Sequence, residues 1–214
     1  MKDAAELAAR GAPHGSVVVA ARQTQGIGRH GHTWHSAPDG GLYMSMVLRI
    51  PARGPEVTLA LGLAVQEAVS DLVSADIRWP NDVMLNHRKL AGILVQNSGG
   101  ALIAGIGLNL NQTAFPEDLQ AIATSIRIET GREIPLESVL DRVVAESLRY
   151  VNKTKPAILR LFEERSSYVL GKAVEVDGRI RGITDGLDAD GFLLVRTPTG
   201  IETILAGGVR ELLS

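Results

Sequence analysis

Ala101-Leu102-Ile103-Ala104-Gly105-Ile106-Gly107-Leu108-Asn109-Leu110 is the stretch of this 214-residue chain that says most about its fold. Leu102, Ala104, Ile106 and Leu108 fall on alternate positions, the period of a β-strand, and so share one face. Gly105, Gly107 and Asn109 share the other. A strand face stripped of side chains marks close approach by a ligand or another backbone. The segments around it carry the same period. Residues 77–79, 83–85 and 90–96 read as strands, and 42–49 alternates, with Leu42, Met44, Met46 and Leu48 on one face and Tyr43, Ser45, Val47 and Arg49 on the other. Such a strand buries its first face in the core and offers Tyr43 and Ser45 to a ligand. Residues 16–21 are an apolar β-branched run, predicted to be a buried strand. Residues 3–10 and 56–73 read as helices. The second carries a narrow wet stripe at Gln66, Glu67, Ser70, Asp71 and Ser74. Two more helices follow at 136–150 and 156–166.

From about residue 170 the texture changes. Short strands at 173–177, 180–184, 192–197, 201–206 and 208–213 are punctuated by Asp177-Gly178, Asp190-Gly191 and Thr199-Gly200, and Asp-Gly steps are strong turn signals. This tail reads as a small antiparallel barrel, too small to be stable alone and so expected to dock on the main domain. The fold class is α+β: a mixed β-sheet backed by helices, then a β module.

Composition sets outer bounds. The chain is 45% hydrophobic and 21% charged, the balance of a globular protein and not of a disordered one. The net charge is −2, which does not suggest a DNA-binding partner. The absence of cysteine removes disulfides, thiolate metal sites and cysteine nucleophiles, and suits a reducing cytoplasm. The apolar run at 59–65 is too short to span a bilayer, and the first residues, Met1-Lys2-Asp3, show no export signal.

Several motifs invite chemistry. Gly26-Ile27-Gly28-Arg29-His30-Gly31 matches G-x-G-x-x-G, but a dinucleotide site needs a helix opening at the motif and an acid about 20 residues on. Here a Gly/Pro loop follows, and the region near residue 50 reads Arg49-Ile50-Pro51. What survives is a flexible, N–H-rich loop with cationic side chains, able to wrap an anion. His30, His32 and His35, with no carboxylate before Asp39, make a poor zinc site. Ser45 lacks a nucleophile elbow, and there is no P-loop. Arg78-Trp79-Pro80-Asn81-Asp82 is a polar and aromatic cluster between two apolar strands. Lys89 opens the next strand, where its ammonium can meet a carboxylate or a phosphate.

In combination these segments resemble the biotin protein ligases. Gly15 to Ala21, then Gln23-Thr24 and Gly26-x-Gly28-Arg29-x-Gly31-x-x-Trp34, are similar to that family's biotinyl-AMP loop. Gly41-Leu42-Tyr43-Met44-Ser45, Trp79-Pro80-Asn81-Asp82, Lys89-Leu90-Ala91-Gly92-Ile93-Leu94 and Gly105-Ile106-Gly107-Leu108-Asn109 follow in the family's order and spacing. The resemblance implies a class II synthetase-like biotin/lipoate ligase catalytic domain over 1–168 and an SH3-like C-terminal domain over 169–214, without the winged helix of the repressor form. It implies ATP, Mg²⁺ and biotin as the reacting set, with Mg²⁺ held largely by the phosphates and no dedicated metal ligands. The partner implied is a biotin carboxyl carrier protein domain, as in acetyl-CoA carboxylase, and a homodimer is compatible with the family.

The resemblance also assigns roles. Lys89, Arg29 and Asp82 are the catalytic residues, with Asp82 either orienting the acceptor lysine or taking its proton, or else bracing Arg78. Gln23, Ile27, Gly28, Arg29, Tyr43, Ser45, Lys89 and Gly92 line the biotin side. Gly26, Gly31, Trp34, Asn81, Gly105, Gly107, Asn109 and Arg210 line the nucleotide side. Three departures stand out. Ile27 replaces a usual arginine. Leu212 stands where the family ends in arginine, with Arg210 placed to substitute. The family's strand-borne Ser-Thr pair would precede Met1, so the natural protein is expected to be longer. The rival readings are a lipoate or octanoate ligase of the same fold and a non-catalytic biotin-binding relic.

Overall fold

The computed structural model describes residues 1–31, 33–38, 40–51, 54–98 and 100–212, His30 by its backbone only. Six strands form the main sheet: β1 (Val17–Ala20), β2 (Gly41–Leu48), β3 (Asp76–Arg78), β4 (Asp82–Leu85), β5 (Arg88–Ser98) and β6 (Ala101–Asn109), in the order β1-β2-β6-β5-β4-β3. Every ladder in it is antiparallel. The sheet is therefore not mixed as expected, because β3–β4, β4–β5 and β5–β6 are joined by short turns that force the chain to reverse. Among the described residues the one parallel contact is an isolated bridge between Lys89 and Ala123.

One face of this sheet carries Leu42, Met44, Met46, Ile93, Ala104, Ile106 and Leu108 into the main core. Helix α2 (Glu56–Ala68) covers that face, backed by α5 (Leu136–Val151) and α6 (Lys155–Arg165). On the opposite face, α1 (Lys2–Ala9) presses Ala4 and Ala8 against Val47, Ala101 and Ile103. It covers one end of the face only, and the glycines of β6 lie beyond it. Two short helices, α3 (Glu117–Gln120) and α4 (Ile126–Thr130), lead into α5 and have no counterpart in the sequence reading. Four and five residues are too few to show a helical period.

Two further expectations change. The run at 16–21 is no buried strand: β1 is the sheet's edge, and Val19 is 40% exposed. An apolar β-branched run looks the same in either position. Helix α2 ends at Ala68, not 73, with Val69 as its cap, so Ser70, Asp71 and Ser74 lie in the turn beyond it.

The C-terminal sheet holds β7 (Leu170–Val176), β8 (Ile180–Leu187), β9 (Leu193–Thr197), β10 (Gly200–Ile204) and β11 (Val209–Glu211), in the order β10-β9-β8-β7-β11. Among the described residues no ladder joins β10 to β11. Asp177 and Gly178 both take positive φ, 49° and 70°, as a two-residue reversal between twisted strands requires. Val174, Val176, Leu193, Val195 and Val209 pack into the same core as the main sheet. Trp79 Nε1 donates to the Gly191 carbonyl at 3.0 Å, tying the two sheets together. No helix among the described residues is long and apolar enough to cross a membrane.

Candidate active site

A single register line crosses all six strands of the main sheet. Ala20 pairs with Tyr43, Tyr43 with Gly107, Gly107 with Gly92, Gly92 with Asp82 and Asp82 with Arg78. Direct cross-strand neighbours share a face, so these six residues form one row. The row beside it runs from Val18 through Ser45 and Gly105 to Leu94. Two glycines facing each other at the centre, with larger residues on both sides, leave a trough. It is the floor of a cavity of about 910 Å³ that residues of the C-terminal sheet also line. The bare face read from residues 101–110 is this floor.

Trp34 lies on it. A Cβ on Gly107 would stand 2.5 Å from the indole Cε2, and one on Gly92 would stand 2.9 Å from Cζ3. No side chain larger than hydrogen fits at Gly107 unless the ring moves. Gly105 is overlaid instead by Met1, whose sulfur would be 2.8 Å from a Cβ there. The loop that delivers Trp34 is pinned at its neck, where Trp34 N–H donates to Gly26 O at 2.9 Å and Ile27 bridges Thr33. Its tip is the 3₁₀ turn Arg29–Gly31.

The charged groups converge at the β4–β5 end. Lys89 Nζ is 2.5 Å from Asp82 Oδ1, and Arg78 is 2.8 Å from Asp82 Oδ2. Burial pushes the Asp82 carboxyl up, but the two cations outweigh it and hold it below its ordinary value. Lys89 also stands over the Trp34 ring at 5.6 Å. Arg29 donates to Asn81 Oδ1 at 3.2 Å, and Asn81 Nδ2 is in turn fixed on Ile93 O at 3.1 Å. Burial pulls the Arg29 guanidinium down, against the pull of Asp82 and of Asp177. Tyr43 is 1% exposed, and its hydroxyl donates to Ala37 O and accepts from Gln112 Nε2.

Most of the site residues expected from sequence line this cavity: Gln23, Ile27, Gly28, Arg29, Trp34, Tyr43, Ser45, Asn81, Asp82, Lys89, Gly92, Gly105, Gly107 and Arg210. Three do not. Asn109 is buried at the end of β6, on the face of the two glycines but outside the cavity lining, donating to Thr124 O at 3.0 Å and accepting from Gln112 at 3.0 Å, so both ends of its amide serve the fold. Gly26 is the neck of the loop, where a Cβ would be 2.4 Å from Trp34 O. Gly31 closes the 3₁₀ turn with φ +78°. His32 lies outside the described residues, and the His35 ring meets Phe115 edge-on.

Sequence reasoning assigned the tail only Arg210, yet Glu175, Asp177, Gly178, Gly207 and Gly208 also line the cavity. Asp177 Oδ1 accepts from Gly208 N–H at 2.6 Å, which clamps the two loops of the C-terminal sheet together at the cavity mouth. The Asp177-Gly178 step was legible as a turn, but nothing local says which cavity a turn faces.

Among the described residues no three His, Cys, Asp or Glu side chains gather around a common point. Asp82, the buried acid of the site, is already spanned by two cations.

Residues 3–112 match the Biotin/lipoate A/B protein ligase family, and 169–209 match the biotin protein ligase C terminal domain. The chain is 34% identical to the bifunctional ligase/repressor BirA of Bacillus subtilis, over 97% of this chain and 70% of that one. It is 30% identical to the biotin–[acetyl-CoA-carboxylase] ligase of Mycobacterium tuberculosis, over 97% and 85%. The solved biotin protein ligase of Aquifex aeolicus, in complex with biotin and ATP, superposes with a TM-score of 0.86 at 33% identity, covering 99% of this chain and 94% of that one. The chain belongs to the Biotin/lipoate A/B protein ligase family.

Proposed function

We propose that this chain activates biotin with ATP as biotinyl-5′-AMP and passes the biotinyl group to a lysine of a biotin carboxyl carrier protein domain. The chain is a biotin protein ligase, an ATP-dependent enzyme acting on biotin. The observation that carries the residue roles is the convergence of Lys89 and Arg29 on one end of a glycine-floored trough.

In the first step a biotin carboxylate oxygen attacks the α-phosphorus of ATP, a new O–P bond forms, and pyrophosphate leaves with the electrons of the broken O–P bond. Both reactants are anions, and the charge that builds on the phosphoryl oxygens is met by Lys89 and Arg29. Mg²⁺ bound with ATP would supply further positive charge to the phosphates, and no dedicated protein ligands are assigned to it. Tyr43, Ser45 and Gln23 take the biotin side of the trough, and Trp34 offers an aromatic wall against the intermediate. In the second step the acceptor amine attacks the acyl carbon, AMP leaves with the electrons of the broken acyl C–O bond, and the amine's proton passes to water. Asp82 is a poor candidate for that proton, because two cations stabilise its ionised form and weaken it as a base. Its role is to aim Lys89. Residues 1–168 then form the catalytic unit, and 169–214 form the cap that brings Asp177 and Arg210 over it.

ATP–pyrophosphate exchange by the purified chain tests the reading. Exchange is expected with biotin and not with octanoate or lipoate. Exchange driven by octanoate overturns the substrate assignment, and biotin binding without exchange overturns the enzymatic one.

A further inference from the structure

The β4–β5 hairpin carries both partners of the central ion pair, Asp82 on one arm and Lys89 on the other. The register between the arms slips between Val83 and Met84, close to Lys89. Bulges of this kind re-aim a side chain. Here something outside the hairpin holds the re-aimed residue. Lys89 N–H donates to Ile122 O at 2.8 Å, and Lys89 O accepts from Thr124 N–H at 3.0 Å. Thr124 is fully buried, with all three of its polar groups engaged. Its N–H serves Lys89, its carbonyl accepts from Asn109 Nδ2, and its hydroxyl donates to Glu129 Oε1 at 2.5 Å.

Glu129 is the hub. Its Oε1 also receives Arg88 at 2.5 Å, and its Oε2 receives Asn86 Nδ2 at 2.6 Å. Asn86 and His87 form the hairpin turn, with φ 49° and 60°. One carboxylate, 12% exposed, thus grips the tip of the hairpin and also the segment that holds the main chain of Lys89. Burial pushes this carboxyl up, but the hydrogen bonds of Thr124 and Asn86 and the charge of Arg88 bring it below its ordinary value. Glu129 keeps the charge that three donors need. It lies between the two family matches, which end at 112 and resume at 169.

We propose that Glu129 is a positioning residue for Lys89, acting through the Thr124 hydroxyl. It never touches the cavity: it fixes where the Lys89 backbone sits, and so where the ammonium meets the reacting phosphate. The inference rests on Lys89 being the cation of the adenylation step.

The test is biotin-dependent pyrophosphate exchange, with single-turnover formation of biotinyl-AMP for slow variants. Glu129→Ala and the isosteric Thr124→Val are each expected to lower kcat about tenfold, with KM for biotin within about twofold. Thr124→Ser, which keeps the hydroxyl, is expected to stay within about twofold of wild type. In a Lys89→Ala background, Thr124→Val should add less than about a twofold loss, because residues acting through one another do not add. If Glu129→Ala fails to fold by circular dichroism, the Thr124 variants carry the test alone. A full additional loss on top of Lys89→Ala, or wild-type kcat in Thr124→Val, overturns the proposal and leaves the role of Lys89 standing. Normal exchange by Lys89→Ala alone overturns that role, and the proposal with it.

Discussion

Among the described residues Lys89 Nζ has one anionic partner in the cavity, Asp82, and one aromatic face, Trp34. A mobile phosphate that enters the trough gains a charge-assisted contact already aimed at it. Removing that contact from a phosphoryl transfer costs on the order of 3 kcal/mol or more. Lys89→Ala should therefore lose nearly all exchange while circular dichroism stays native, although the thermal midpoint should fall, since buried Asp82 loses the nearer of its two cations. Near-normal exchange would remove Lys89 from the site. Arg29 sits on the loop over the trough with Ile27, 56% exposed, two residues before it. Arg29→Gly should still adenylate but release biotinyl-AMP early, which labelling of a bystander protein would report. Equal bystander labelling by both proteins would count against a retaining role.

At the scale of the element, strand β6 works by what it lacks. Gly107→Ala places a methyl where the indole of Trp34 lies, 2.5–2.7 Å from three of its atoms. The ring can only swing outward, since the other side is the sheet. The expected outcome is a red shift of tryptophan emission with a higher KM for biotin; unchanged emission would show that the floor can absorb the methyl. The join between the sheets depends on an atom rather than a face. Trp79→Phe keeps most of the buried ring and removes the donor to the buried Gly191 carbonyl. An orphaned buried carbonyl costs about 1–3 kcal/mol, so the thermal midpoint should drop by several degrees. An unchanged midpoint would mean that the two sheets are held by the shared apolar core alone.

Across the whole molecule, stability should show an acid limb. Asp82, Glu129 and Glu211 all have carboxyls below their ordinary values: burial pushes each up, and neighbouring cations and donors outweigh it. A carboxyl depressed in the folded state contributes stability that is complete above its unfolded value, about 4, and is lost as pH falls through the folded value. The thermal midpoint should hold from neutral pH down to about 5 and decline below about 4. Glu129→Gln should shallow that decline. An acid limb of identical slope in the variant would assign the loss to other carboxyls. Glu211 extends the argument between the sheets, because it joins Lys172 at 2.9 Å with His87 of the β4–β5 turn at 3.2 Å.

What the sequence by itself determined is local and periodic. Alternation in 101–110 marks a strand with one bare face, Asp177-Gly178 marks a reversal, and ordered motifs from Gln23 to Gly107 mark a candidate site, because each depends on residues within a few positions of one another. Fourteen of the expected site residues accordingly line the cavity. What only the tertiary structure decided depends on partners far away in the chain. Val17–Ala20 reads as a core strand until its missing neighbour shows it to be an edge. Asn109 looks like a ligand contact until Thr124 and Gln112 take its amide. Glu129, in a helix of five residues, carries no sequence signal at all; it reaches Asn86 and Arg88, about 40 positions upstream, only once the hairpin has folded back against it. Periodicity reports which face of an element is apolar, whereas which element lies opposite is settled by packing, and a buried polar group takes whichever partner packing brings to it.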